Sequence, residues 1–65
     1  MKLLVNGEQS SVDVKTLYEL VEQYKINQQL VVTEVDGLII GQEERTQFEL
    51  KEGMKIELVH FVGGG

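Results

Sequence analysis

Two glycine-containing turns constrain the fold of this chain more than any other feature. Asn6-Gly7 and Asp36-Gly37 each separate two short runs of strand-forming residues. A two-residue turn of this kind needs positive φ at both positions, which makes Asn-Gly and Asp-Gly strong signals for β-hairpins. The sequence therefore predicts two hairpins, with the segment between them left to form any helix.

The register of the first hairpin assigns its side chains to faces of a sheet. Because side chains alternate along a strand, a two-residue turn at Asn6-Gly7 places every second residue of the two paired strands on the same face of the sheet. We predict Leu3, Val5, Val12 and Val14 on one face. Leu4 is left on the opposite face.

A helix is predicted to begin at Thr16. Thr16 and Glu19 have the spacing of a capping box, in which the hydroxyl and the carboxylate each accept a backbone N–H of the first turn. Apolar residues follow at i, i+3, i+4 and i+7, which forms one stripe along a helix: Leu17, Leu20, Val21 and Tyr24. We predict that Asn27 ends the helix in a left-handed conformation.

The rest of the chain is predicted to form strands joined by turns. We predict a third strand at 31–35 and a fourth at 38–40, around Asp36-Gly37. A polar loop with one helical turn follows at 41–47, then a strand-like segment at 48–50, a turn at 51–54 and a last strand at 56–62. Residues 1–62 are thus predicted to form one domain, and Gly63 to Gly65 a flexible tail.

This order of elements predicts an α+β fold of the β-grasp (ubiquitin-like) type. One helix covers only one face of a sheet, so we expect a mixed sheet of four to five strands with one helix across one face. A last strand beside the first runs parallel to it, because the helix-containing connection supplies the right-handed crossover. The C-terminus then projects from a central strand.

Composition excludes several classes of function. The 65 residues include no Cys and one His, so disulfides and the usual His/Cys zinc sites are excluded. We predict no bound metal or cofactor. The net charge of −5 argues against nucleic acid and anionic membranes as partners. Without a signal-peptide core or an apolar run of about 20 residues, the expected location is the cytoplasm.

The tail Gly63-Gly64-Gly65 has two interpretations. Glycines at the end of a strand add nothing to a core, and a frayed terminus explains them. Alternatively, the tail enters a narrow active site of another protein, and the reactive group is the α-carboxylate of Gly65. This carboxylate attacks the α-phosphate of ATP with the help of Mg²⁺ and cations of the partner. A sulfur nucleophile then displaces AMP and leaves a thiocarboxylate.

A docking surface is predicted from the alternation of the strands. Ile56 and Leu58 should face the helix, which leaves Val59 and Phe61 on the uncovered face. With Leu4 and Val32 they would form an exposed apolar patch, and such patches often mark interfaces. The alternative is that these are scattered surface residues, which are common.

The order of these features resembles that of the ThiS family, the bacterial sulfur carriers of thiamin biosynthesis. The resemblance covers the whole chain, including Leu50-Lys51-Glu52-Gly53 before the last strand. Its most specific segment runs from Ile56 to Gly65, and the family's ending is similar to the Val59-His60-Phe61-Val62-Gly63-Gly64-Gly65 of this chain. One departure is Ile40-Gly41-Gln42, where family members often carry Val-Pro-Arg. No partner contact of that Arg is transferred to the nearby Arg45.

The resemblance implies the partners of the chain. A ThiF-like enzyme would adenylate Gly65 with ATP and Mg²⁺, and a cysteine desulfurase would supply sulfur through a persulfide. Thiazole synthase would accept the sulfur for the thiazole ring of thiamin. The chain itself would be a carrier rather than an enzyme.

Two other functions remain open at this stage. One is a sulfur carrier for molybdopterin synthesis, a family that shares the fold and the Gly-Gly ending. The other is a β-grasp protein-binding module without tail chemistry, whose activity would survive loss of Gly64 and Gly65. A catalytic role for His60 is disfavoured, because no Ser, Cys or Asp motif accompanies it.

Overall fold

The computed structural model describes residues 1–61 of the chain. Their elements are the strands β1 (Lys2–Val5), β2 (Glu8–Ser11), β3 (Val31–Val35), β4 (Leu38–Ile40) and β5 (Lys55–His60), the helix α1 (Leu17–Gln23), and the 3₁₀ helices η1 (Gln28–Leu30) and η2 (Gln42–Glu44). The strands form one sheet in the order β2-β1-β5-β3-β4. β5 is therefore the central strand.

Both predicted hairpins are confirmed. β1 pairs with β2 and β3 pairs with β4, each in an antiparallel register closed by a two-residue turn. The turn residues all have positive φ, with 50° at Asn6, 82° at Gly7, 49° at Asp36 and 89° at Gly37. These are the conformations that favour Asn, Asp and Gly at such turns.

The predicted β-grasp fold is also confirmed. β5 lies parallel to β1 on one side and antiparallel to β3 on the other, which makes the sheet mixed. α1 lies on the connection between the two hairpins. The predicted last strand at 56–62 is observed as Lys55–His60, and Val62 lies outside the described residues.

The core lies between α1 and one face of the sheet, here called the covered face. It combines the buried side of the helix, alternate residues of the strands and two residues of the connecting segments, Val12 and Leu50: Leu3, Val5, Val12, Leu17, Leu20, Val21, Val31, Val35, Leu50, Ile56 and Leu58. Val14 packs against this cluster and is partly buried. The predicted inward alternation of β1 and β5 is therefore confirmed. The opposite face carries no helix in residues 1–61 and is here called the open face.

The N-terminus of α1 has the predicted capping box. The Thr16 hydroxyl accepts the Glu19 N–H at 3.1 Å, and the Glu19 carboxylate accepts the Thr16 N–H at 3.0 Å. That carboxylate also accepts the Lys15 N–H at 2.8 Å. The backbone N–H groups of Lys15 and Thr16 lower the pKa of Glu19 from its ordinary value, because they stabilise the ionised form.

The predicted end of α1 at Asn27 is wrong. The left-handed residue is Lys25, with φ of 58°, whereas Asn27 has φ of −65° and caps η1. The N–H of Ile26 bonds the carbonyl of Val21 at 3.2 Å, and that of Lys25 bonds the carbonyl of Glu22 at 2.9 Å. This is a Schellman motif. The helix ends early because it places apolar Ile26 against the core.

The segment before β5 is strand-like only in part, as a single bridge joins Glu49 to Thr16. Leu50 is buried in the core. Gly53 turns the chain back toward β5 with φ of 85°. Within residues 1–61, no helix is long and apolar enough to cross a membrane.

Candidate functional site

Phe61, which we call the root of the tail, lies at the end of the central strand β5. Beyond β5, the N–H of Phe61 donates to the carbonyl of Leu30 at 2.7 Å, which continues the pairing of β5 with the β3 side by one residue. Phe61 is the last described residue. The predicted site residues Gly63, Gly64 and Gly65 lie outside the described part of the chain.

An apolar group of side chains surrounds this root on the open face. Val32 and Val59 are directly paired between β3 and β5. Phe61 follows Val59 at the next position of the same parity, and its backbone partner Leu30 is opposite. Phe61 is 55% exposed, Val59 51% and Leu30 40%. We call these four residues the apolar end of the open face.

Leu4 is separated from this group. It is exposed and lies on the open face, as its alternation with buried Leu3 predicts. Its neighbour on β5 is Lys55, however, six positions before Phe61. At about 3.3 Å per residue, roughly 20 Å of strand separates Leu4 from Phe61. Three of the four predicted patch residues are thus brought together, and the fourth is at the other end of the sheet.

A pair of carboxylates lies next to the apolar end. Glu34 on β3 and Glu57 on β5 are cross-strand partners, and both are half-buried on the open face. Like charges in directly opposed positions destabilise a sheet. Exposed Ile39 continues this row on β4, opposite Glu34. The open face therefore combines an apolar end with an adjacent acidic pair.

Arg45 is a buried residue that the sequence analysis did not single out. It is 3% exposed, and its guanidinium reaches into the end of the core beside η1. Nη1 donates to the carbonyl of Gln28 at 2.6 Å and to its side-chain Oε1 at 3.0 Å. Nη2 donates to the carbonyl of Val31 at 2.6 Å, and Nε to the Thr33 hydroxyl at 3.1 Å. All four acceptor atoms are neutral.

Burial lowers the pKa of Arg45, while the nearby Glu43 carboxylate acts in the opposite direction. The guanidinium nevertheless stays cationic at neutral pH, because the ordinary pKa of arginine lies far above neutral pH. A cation held by neutral carbonyls forms strong, charge-assisted hydrogen bonds. Thr33 completes the network by donating its own hydroxyl to the carbonyl of Ile40 at 2.8 Å.

The sequence contained partial signals for the residues that were missed. Leu30 has the same parity as Val32, and Ile39 is opposite Glu34 once the second hairpin is paired. Arg45 had no such signal, since it lies in a polar stretch whose neighbours Glu44 and Thr46 are exposed. His60 lies exposed in β5. Across residues 1–61, no three His, Cys, Asp or Glu side chains are grouped as a metal site would require.

Comparison with known proteins places this geometry in a family. Residues 3–65 match the model of the ThiS family. The chain is 40% identical over 53 residues to the sulfur carrier protein ThiS of Bacillus subtilis (strain 168), a match that covers 82% of this chain and 80% of that protein.

Two solved structures support the same assignment. The crystal structure of the thiamine biosynthesis protein (ThiS) of Geobacter metallireducens has a TM-score of 0.81 and 33% identity, with full coverage of both chains. The solution structure of a thiamine biosynthesis protein from the same organism has a TM-score of 0.82 and 32% identity, and covers all of this chain and 88% of that one. The chain belongs to the ThiS family.

Proposed function

We propose that this chain is a sulfur carrier for thiazole formation in thiamin biosynthesis, and that its working group is the carboxylate of Gly65. The observation that carries the proposal is the place where the described chain ends. Phe61 follows the central strand β5 and lies within the exposed apolar end of the open face, four residues before Gly65. The relative named as a sulfur carrier supports the same function.

The first chemical step is adenylation. A carboxylate oxygen of Gly65 attacks the α-phosphorus of ATP, and the bond from that phosphorus to pyrophosphate breaks. The products are an acyl-adenylate and pyrophosphate. A ThiF-like enzyme supplies ATP, Mg²⁺ and the positive charge that offsets repulsion between the carboxylate and the phosphates. This chain supplies the substrate group and the surface that docks it.

The second step introduces sulfur. A persulfide on a protein cysteine, charged by a cysteine desulfurase, attacks the acyl carbon and displaces AMP. The resulting acyl disulfide is cleaved by a second thiolate, which forms a new disulfide and releases the thiocarboxylate. Thiazole synthase is the proposed acceptor of this sulfur. None of these steps requires a catalytic side chain from the carrier.

The open face supplies the docking surface in this proposal. Val32, Val59, Phe61 and Leu30 bury apolar area against the adenylating enzyme, which a large exposed aromatic residue favours. Glu34 and Glu57 then face basic residues of the partner, and this pairing offsets the repulsion between the two carboxylates. Leu4, at the other end of the face, contributes only if the partner reaches across the whole sheet.

Pyrophosphate release tests the adenylation step. The chain is incubated with ATP, Mg²⁺ and a ThiF-like enzyme, in parallel with a chain that lacks Gly64 and Gly65. We expect stoichiometric pyrophosphate with the full chain and none with the shortened chain, which keeps the folded domain intact. Equal release with both chains, or none with the full chain while another carrier reacts in the same mixture, would contradict the proposal and favour a binding module.

A further inference from the structure

Arg45 holds the segment that fixes the root of the tail. Its guanidinium bonds the carbonyls of Gln28 and Val31, each at 2.6 Å. Between these two residues lies Leu30, whose carbonyl accepts the N–H of Phe61 at 2.7 Å. One buried cation thus bonds residues before and after Leu30, whose carbonyl holds Phe61, the residue that follows β5.

We propose that Arg45 is a positioning residue for the tail, which sets the direction in which Gly65 is presented to the adenylating enzyme. This inference rests on the proposed function. Arg45 itself is buried and does not contact the partner; it acts through the junction of η1 and β3. The substrate group is the terminal carboxylate, four residues beyond Phe61.

The junction needs such support because η1 is weak on its own. It is a 3₁₀ helix of three residues, and short 3₁₀ turns have poor hydrogen-bond geometry. Apart from the bond that Gln28 Oε1 accepts from Arg45, its side chains make only exposed hydrogen bonds, such as that from Gln28 Nε2 to the carbonyl of Tyr18 at 3.0 Å. The charge-assisted bonds from Arg45 to Gln28 are part-buried, and those to Val31 and Thr33 are buried.

A loosened junction has a specific chemical consequence. If Leu30 moves, the hydrogen bond to Phe61 weakens and the direction of the following residues spreads. Attack on phosphorus requires the carboxylate oxygen at near-attack distance, and misplacement by about 1 Å costs up to about 100-fold in rate. Docking through the open face is retained in part, because Val32 and Val59 stay in the paired part of the strands while Leu30 and Phe61 move with the junction.

A purely structural role would give a different result. The side chain of Arg45 fills buried space, so any substitution lowers stability. The test therefore needs a control that is destabilised elsewhere. Val12 is buried at the β2 edge of the sheet, away from η1, and Val12→Ala supplies that control.

The experiment compares Arg45→Lys, Val12→Ala and the unchanged chain at a temperature where all are folded. Lysine keeps the charge but cannot reach the same set of acceptors with one ammonium group. Hydrogen exchange is measured for the Phe61 amide relative to the Asn6 amide, which donates to the carbonyl of Ile56 at 2.9 Å. Pyrophosphate release with the adenylating enzyme gives kcat and KM.

We expect Arg45→Lys to lower the relative protection of the Phe61 amide by about tenfold, because the free energy of local opening at Phe61 then falls below that of global unfolding. The value of kcat should fall about tenfold, and by a larger factor than KM rises. Val12→Ala should leave both the protection ratio and kcat unchanged. If Arg45→Lys behaves like Val12→Ala, or if its loss is entirely in KM, the inference is wrong.

A second variant keeps the test decisive if Arg45→Lys does not fold. Gln28→Glu is the control, because it loses only the bonds that Gln28 Nε2 donates to Tyr18 and Glu22 and keeps an acceptor for Arg45. Gln28→Ala loses those bonds and also the acceptor of Arg45, from a half-buried position outside the core. It should produce the same two effects in smaller size, and unchanged values would overturn the inference. Failure of the unchanged chain to release pyrophosphate would instead overturn the proposed function, and the Phe61 protection ratio would then decide whether Arg45 holds the junction.

Discussion

The two faces of the sheet come from the same strands but differ in what covers them. On β5, Ile56 and Leu58 belong to the buried core under α1, whereas Val59 and Phe61 are more than half exposed. Because neighbouring residues point to opposite faces, the two sets are nearly independent. The covered face determines whether the chain folds, and the open face is free to be shaped by a partner.

Two adjacent residues of β5 give the largest contrast. Leu58→Ala should lower the free energy of unfolding by about 2–5 kcal/mol, because it leaves a cavity in the core. Val59→Ala, one position later on the open face, should cost less than about 1 kcal/mol. Urea unfolding measures both. Equal losses would show that the open face also contributes a packed layer.

Phe61→Glu tests the open face by function. We expect kcat/KM for adenylation to fall about tenfold or more, since an exposed aromatic residue beside the tail is a typical hot spot. The unfolding free energy should change little. Leu38→Glu is the matched control: Leu38 is 69% exposed but lies at the β4 edge and has the parity of the covered face. Similar losses in both variants would argue against a specific patch.

The capping box tests how firmly α1 covers its face. Thr16→Ala should lower the free energy of unfolding by about 0.5–2 kcal/mol, which urea unfolding measures. Glu19 adds a pH dependence, because its pKa is lowered in the folded chain from the ordinary 4.5. Its contribution is present above pH 4.5 and is lost as pH falls through the folded pKa.

Glu19→Gln separates this pH effect from the hydrogen bonds, because glutamine keeps an acceptor oxygen but does not titrate. Below pH 4.5 the free energy of unfolding should fall less steeply with pH in this variant than in the unchanged chain. Glu8→Gln on the β2 edge should leave the pH dependence unaltered. An acid dependence that is the same in all three chains would show that the capping carboxylate contributes nothing to it.

The smallest effect concerns the acidic pair of the open face. Glu34→Gln should raise the free energy of unfolding by a few tenths of a kcal/mol, because the charge opposite Glu57 is removed. It should also slow association with the adenylating enzyme at low salt. Stopped-flow binding and urea unfolding measure the two changes. Glu8→Gln removes the same charge elsewhere. A stability gain of equal size in that variant would show that the lower net charge causes the effect, and not the pairing of Glu34 with Glu57.

Much of the covered face could be predicted from local sequence rules. The two glycine turns set the hairpin registers, the Thr16 and Glu19 spacing set the start of α1, and alternation identified Leu3, Ile56 and Leu58 as core residues. The end of α1 was predicted wrongly because the apolar packing of Ile26 decides it, and a left-handed conformation at Lys25 is tolerated for that packing. Helix ends depend on tertiary contacts as well as on residue preference.

The open face was less accessible to sequence reasoning. Alternation assigns a residue to a face of the sheet, but it does not show which residues of neighbouring strands lie side by side. The separation of Leu4 from Phe61 depends on the parallel register of β1 and β5. Arg45 was missed for a related reason. Its burial follows from carbonyls of Gln28 and Val31 that only the folded chain brings together, and an arginine among polar residues is usually exposed.

The central claim is tested most directly by the intact mass of the chain after incubation with ATP, Mg²⁺, a ThiF-like enzyme and a cysteine-fed desulfurase. We expect a gain in mass equal to the replacement of one oxygen by sulfur, located in the C-terminal peptide and absent from a chain without Gly65. An unchanged mass, while a known carrier is thiolated in the same mixture, would contradict the central claim.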